Sequence, residues 1–308
     1  MGHAVFRPRS RQIKRLCSIS SLSALSRLGA LFDGALGYHV NLRMLLIFLG
    51  LFVGSCVDGQ SGSLPRVHPK ARRDYVVVLM WHDVVPATKE VWFDTTIAEL
   101  TSQFAAIKRR RCNVISLDTL YTHLADGSPV PPRSVVLTFD DNNRGLYENA
   151  YPLLKQYNSP ATLFVHTNYI GVTTSKPHCD WRMLIEMQKS GLVSIQGHSC
   201  SHPADMRLQS PAEADKELID SKALIEKHTA RPVIAFAYTE GHYNDALARA
   251  VARDGYKIAF TEDWGSAGAS LSLFTVHRYS IHKRFAQALN DVTRLPARRP
   301  VGLRFRPP

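Results

Sequence analysis

Apolar, β-rich runs alternate with amphipathic helical segments from residue 75 to residue 261, and no other feature of the sequence restricts its fold so tightly. Tyr75-Val-Val-Val-Leu-Met80 is continuous and apolar, as expected of a strand buried on both faces. Phe93, Ile97, Leu100, Phe104 and Ile107 then recur at helical spacing, which predicts a helix over 92–110. Further strands are predicted at 135–139, 161–165, 192–196, 233–238 and 257–261. Between them lie predicted helices at 146–156, 181–190, 211–228 and 244–254, with Gly191 and Gly255 closing the second and the last. Repeated βα units imply an α/β domain with a parallel sheet or barrel covered by helices. In such folds the chemistry collects at the C-terminal ends of the strands.

Upstream of this region, residues 44–54 are strongly apolar, but the run is shorter than the roughly 20 residues a spanning helix needs. Arg43 precedes it and Cys56 follows, which is the layout of a secretory signal peptide. Val53-Gly54-Ser55-Cys56 also resembles the lipobox of bacterial lipoproteins, in which the cysteine becomes the lipidated first residue. The expected location is the cell envelope, with the chain anchored through Cys56 and facing the periplasm. Plain secretion after cleavage near Gly54 or Ser55 is the alternative. On this reading 1–43 is a leader, or lies upstream of a true start at Met44 or Val40, and 44–55 is the signal-peptide core. The polar, Pro- and Gly-bearing 56–73 is a tether, 74–290 the folded domain and 291–308 a basic tail.

The formal charge is +12, but 1–43 holds seven basic residues and one acid, so the remainder carries only +6. Arg298, Arg299, Arg304 and Arg306 crowd its last residues, and no basic helix, zinc-finger spacing or aromatic RNA-binding signature occurs, so nucleic acid is not an expected partner. Downstream of Cys56 the cysteines are Cys112, Cys179 and Cys200, which permit one disulfide without selecting the pair. No Cys-x-x-Cys is present, which argues against a thiolate zinc site.

Carboxylates and imidazoles stand at three predicted strand ends: Trp81-His82-Asp83-Val84, Thr138-Phe139-Asp140-Asp141, and Gly197-His198-Ser199-Cys200-Ser201-His202. The four-residue spacing of His198 and His202 lets two imidazoles converge on one ion, and one added carboxylate gives a His₂-carboxylate set with open positions, the arrangement of catalytic zinc. Paired aspartates suit a division of labour in which one binds the metal and the other serves beside it as a base.

Thr138-Phe139-Asp140-Asp141 and His198-Ser199-x-x-His202 resemble the first two motifs of the polysaccharide deacetylases, the NodB-homology family or carbohydrate esterase family 4. Leu79-Met-Trp-His-Asp-Val84, Pro160-Ala-Thr-Leu-Phe164, Trp181 and Phe236-Ala-Tyr-x-x-Gly241 extend the likeness over about 74–285, towards the poly-N-acetylglucosamine deacetylase branch. The resemblance implies a distorted (β/α) barrel that removes acetyl groups from N-acetylated sugars. It implies Asp141, His198 and His202 as metal ligands, Asp140 as general base and His82 as general acid. His277 is a weaker candidate for a late histidine that other members use. The implied cofactor is a divalent metal, zinc in the first instance, with cobalt, nickel or iron as alternatives.

Two departures stand out. Asn142 replaces a common glycine after the aspartate pair, and Tyr238-Thr239-Glu240-Gly241 replaces a Tyr-Pro-Tyr-Gly pattern. The Glu240 backbone N–H is still expected to serve the oxyanion, and Tyr238 and Trp264 are candidates to stack on sugar faces. The expected substrate is an envelope or biofilm polysaccharide like poly-N-acetylglucosamine, and no added glycoside-hydrolase domain is expected after the barrel. Alternative substrates are peptidoglycan or an O-acetylated glycan. A glycan-binding protein without turnover, suggested by Thr239-Glu240, is the alternative of another class.

Overall fold

The computed structural model describes residues 63–293; the leader, the apolar run, Cys17, Cys56 and the arginine-rich end expected to be a tail lie outside them. At its centre is a parallel sheet. Its strands are β1 (Val77–Trp81), β4 (Asn113–Val114), β5 (Ser134–Phe139), β6 (Ala161–Val165), β7 (Val193–Gly197), β8 (Ala235–Ala237), β9 (Ile258–Phe260) and β10 (Tyr279–Ser280), while β2 (Val84–Val85) and β3 (Thr95–Thr96) pair separately. The order β10-β1-β5-β6-β7-β8-β9 puts the β5 and β7 ends on either side of β6. After β9 the chain turns back alongside it, with Val276 bridging Phe260 in parallel, before β10 joins β1 through the Leu79–Tyr279 register. This return curls the sheet into the distorted barrel expected from the sequence. All of β1, β5 and β6 are buried, as their unbroken apolar runs require.

Helices α1 (Ile97–Arg109), α2 (Leu117–Asp126), α3 (Tyr151–Tyr157), α4 (Trp181–Lys189), α5 (Pro211–Thr229), α6 (Asp245–Arg253) and α7 (Ile281–Val292) connect or cover the strands. The expected helix over 92–110 begins only at Ile97, because Thr96 and Glu99 form a reciprocal capping box. Ahead of it, Asp94 accepts from the backbone N–H groups of Glu90 and Val91 and makes a separate turn. Leu100, Phe104 and Ile107 are buried along one face of α1. Burying each is worth about 1.5–3 kcal/mol, and Phe104→Ala would cost about 3–5 kcal/mol. The helix expected over 146–156 opens with a π turn at Leu146–Ala150. Pro152, which has no N–H for a regular bond, follows at the start of α3.

Two expectations need correction. Residues 63–73, read as tether, pack on the domain: Val67 and Ala71 are buried, and Leu273 N–H donates to Pro65 O at 2.9 Å. Residues 291 and 292, read as tail, end α7, where Val292 is buried. The apolar spacing of Ile281, Phe285, Ala288, Leu289 and Val292 explains that helix. Cys112, Cys179 and Cys200 are all free thiols, with burial pushing Cys179 up to about 12.

Candidate active site

The ends of β1, β5 and β7 converge as their parallel pairing dictates. Thr138 Oγ1 donates to Leu79 O at 2.8 Å and the Asp140 N–H to Trp81 O at 2.9 Å, so β5 is tied to β1 up to its last residue. The chain then bends sharply through left-handed Asp141 (φ 73°) and Asn142 (φ 43°). Asn142 thus takes a conformation that glycine accepts readily. Its Oδ1 accepts from the His166 N–H at 3.0 Å and its carbonyl from the Cys179 N–H at 2.8 Å, which hold the bend in place.

At the end of β7, His198 is buried and its Nδ1 lies 2.8 Å from Ala237 O. A carbonyl only accepts, so Nδ1 carries the proton and Nε2 is left as the donor atom for a ligand. Ser199 (φ 71°) and His202 (φ 53°) complete a tight turn. Glu217 on α5 accepts from the Cys200 and Ser201 N–H groups at 2.7 and 2.9 Å, and Ser199 Oγ accepts from the His202 N–H at 3.0 Å. His198 Nε2 and His202 Nε2 lie 3.4 and 3.5 Å from the same Asp141 oxygen. Ligand atoms of the three residues all fall within 4.8 Å of one another. The spacing and the donor set fit a divalent metal.

Asp140 faces a different partner. The Arg278 guanidinium, fully buried, donates from Nη1 to Asp140 Oδ1 at 2.8 Å and places Nη2 2.8 Å from Oδ2, while its Nε donates to Thr261 O. Burial raises the Asp140 pKa, but the charges of Arg278 and His198 outweigh it and hold the carboxyl below its ordinary range. Asp141 is lowered in the same way, against burial, by its contact with His198 and the charge of His82. His198 is raised, its two aspartates overcoming burial, whereas burial and the His198 charge lower His202.

His82 lies near enough to both aspartates to bear on them electrostatically. Its ring packs on Phe93 at 5.2 Å between centroids, and its buried Nδ1 has no hydrogen-bond partner. Glu240 is exposed, in a left-handed conformation (φ 52°), near enough to bear electrostatically on His202. Tyr238 does not fit its expected role: the ring is fully buried and its hydroxyl donates to Phe274 O at 3.0 Å, leaving no face for a sugar. Trp264 is 54% exposed with Arg284 over its ring. His277 packs at Gly265, where burial lowers its pKa against the pull of Asp263.

Arg278 and His166 were not among the sequence candidates. Arg278 precedes β10 and reaches the site only through its long side chain, so a search of strand ends passes over it. His166 directly follows β6, at a strand end like the other histidines of the site. It is buried, its ring 5.5 Å from that of His202, and burial lowers it to about 3.

Residues 127–259 match the polysaccharide deacetylase family. A poly-β-1,6-N-acetyl-D-glucosamine N-deacetylase of Staphylococcus epidermidis is 29% identical over 178 residues, 55% of this chain and 61% of its own length. The chain spans 52–61% of the length of the first curated relatives it matches. Among solved structures, the Streptococcus pyogenes deacetylase PplD, in complex with acetate, is 28% identical, with a TM-score of 0.64 over 70% of this chain and 97% of that one. IcaB from Ammonifex degensii, 21% identical, shares the fold with a TM-score of 0.65 over 72% of this chain and 98% of that one. The barrel, the motifs at its strand ends and these likenesses agree: residues 127–259 carry a polysaccharide deacetylase domain.

Proposed function

We propose that the protein is a metal-dependent hydrolase that removes N-acetyl groups from an N-acetylglucosamine-containing polysaccharide of the envelope or biofilm. The observation that carries this reading is the convergence of Asp141, His198 and His202 beside the Asp140–Arg278 pair and His82. A divalent cation held by the three ligands would polarise the acetyl carbonyl and lower the pKa of water towards neutrality. Asp140, kept ionised and oriented by Arg278, accepts a proton from the attacking water. Protonated His82 delivers one to the departing amine, which is too poor a leaving group to go as an anion. The Glu240 backbone N–H is the candidate donor to the oxyanion. Zinc is the first choice of ion, with cobalt, nickel and iron able to occupy the same donor set.

The staphylococcal relative is named for poly-β-1,6-N-acetylglucosamine, and that polymer is the substrate we propose here. Export, with lipidation of Cys56 or secretion after signal cleavage, belongs to the same proposal. Incubation of the protein with poly-β-1,6-N-acetylglucosamine, chitin oligomers and an O-acetylated glycan, with acetate and free amine both measured, tests the reading. Equal yields of acetate and amine are expected. Acetate accompanied by new hydroxyl groups alone would move the substrate to an ester, and oligosaccharide binding without acetate release would indicate a binding protein.

A further inference from the structure

An acid histidine needs its ring held, ordinarily through the nitrogen that does not react. The buried Nδ1 of His82 has no such partner, so packing must hold the ring, and the packing is Phe93. Phe93 belongs to the segment before β3 and touches Trp92, which is 63% exposed. An aromatic ring at this surface can orient His82 only if its own backbone is fixed.

Lys176 provides that fixation from a separate part of the chain. Its Nζ donates to Asp83 Oδ2 at 2.8 Å and to Asp94 Oδ1 at 2.5 Å. Asp83 directly follows His82 and Asp94 directly follows Phe93. Both carboxylates also bind backbone: Asp83 Oδ1 accepts from the Val84 N–H at 2.8 Å, and Asp94 Oδ2 from Glu90 and Val91. The Thr95 N–H donates to Asp83 O at 3.0 Å, joining the two segments again. Gly145 packs so tightly here that a Cβ would lie 2.2 Å from Asp83 Oδ1. The three charged side chains are 11%, 9% and 0% exposed. Burying an ammonium between two carboxylates is weak support for stability alone, since desolvation offsets much of the attraction.

We infer that Lys176 is a positioning residue for the acid histidine, clipping the residue after His82 to the residue after Phe93 and so fixing the imidazole against its aromatic support. The inference rests on the acid role proposed for His82. An amide must have its leaving nitrogen protonated, whereas 4-nitrophenyl acetate releases a phenolate that needs no proton. A clip that acts through His82 therefore affects the first reaction far more than the second.

The test compares wild type, Lys176→Met, Lys176→Arg and His82→Ala on N-acetylglucosamine oligomers and on 4-nitrophenyl acetate. Lys176→Met should lower kcat on the oligomer about tenfold to hundredfold, part of what general acid catalysis supplies, with KM and metal content nearly unchanged. Its ester rate should stay within about threefold, and Lys176→Arg should recover most of the lost amide activity. Added to His82→Ala, Lys176→Met should do almost nothing further. Equal losses on amide and ester, or a further tenfold loss in the His82→Ala background, would overturn the inference. Full amide activity in His82→Ala would instead remove the acid assignment itself. Lys176→Met/Asp94→Asn keeps the net charge of the cluster and serves if the single variant does not fold; failure of both to fold makes the role structural and also overturns the inference.

Discussion

His198 and His202 at the end of β7 are fixed by contacts very different from those that fix His82 at the end of β1. The β7 turn combines the Ser199 hydroxyl with Glu217, sixteen or seventeen residues away on the next helix, whose carboxylate spans two N–H groups and the Ser201 hydroxyl, and with backbone bonds to the adjacent strand ends, Thr167 and Asn168 after β6 and Ala237 on β8. The β1 end depends on Phe93, Asp94 and Lys176, the last 93 positions from Asp83 in sequence. A pair of metal ligands can be built locally, since a four-residue turn sets the distance between the two rings. The acid proposed at His82 comes from the end of β1, three places along the sheet from β7, and has to be aimed by tertiary contacts.

Breaking the ligand side outright should have the largest effect: Asp141→Asn removes the carboxylate that both imidazoles face, and acetate release should fall below about one part in a thousand, together with metal content measured per chain. Next comes Asp140, the proposed base between the two ends. Asp140→Asn should keep the metal and lose about 10²- to 10⁴-fold in kcat. It also leaves the buried Arg278 without its counter-charge, at a cost of about 3–5 kcal/mol in denaturant unfolding. Because the folded Asp140 pKa is depressed below 3.8, that contribution is complete above 3.8 and is lost as pH falls through the lower folded value. The stability gap between wild type and Asp140→Asn should therefore narrow in strong acid; a gap that widens there would contradict the pairing.

Glu217→Ala sharpens the contrast more gently. It loosens the β7 turn without touching His82, so metal affinity, read by competition with a chelator, should fall about tenfold while the saturated enzyme keeps most of its kcat. The smallest effect is expected at Trp264, whose exposed ring would add stacking worth about 0.5–1.5 kcal/mol. Trp264→Ala should raise KM for long oligomers several-fold and leave kcat alone, and an unchanged KM would remove Trp264 from the substrate path.

The same contrast explains what was legible in the sequence. The strands of the sheet announced themselves through apolar runs such as 75–80 and 135–139, because parallel strands covered on both faces have no polar side to show. The aspartate pair and His198-x-x-x-His202 were visible because their spacing is itself the geometry. Arg278 and Lys176 were not, since what matters about each is a partner 138 or 82–93 positions away, and neither position repeats or matches a motif. Helix α2 is hard to read from the sequence although Leu117, Leu120 and Leu124 mark its buried face; it is short, and its β-branched threonines blur the signal. Tyr238 suggests a sugar contact in the sequence because a tyrosine after a strand offers an aromatic face and a hydroxyl, and only the packing shows that both are used internally.

The most direct test follows acetate release from poly-β-1,6-N-acetylglucosamine after chelation and again after zinc, cobalt or nickel is restored, in wild type, Asp140→Asn and His82→Ala, with bound metal measured in each. The account predicts that chelation abolishes release, that a restored ion recovers it in wild type alone, and that both variants bind the ion without recovering the reaction. Undiminished release from the chelated protein, or from either variant, would contradict it.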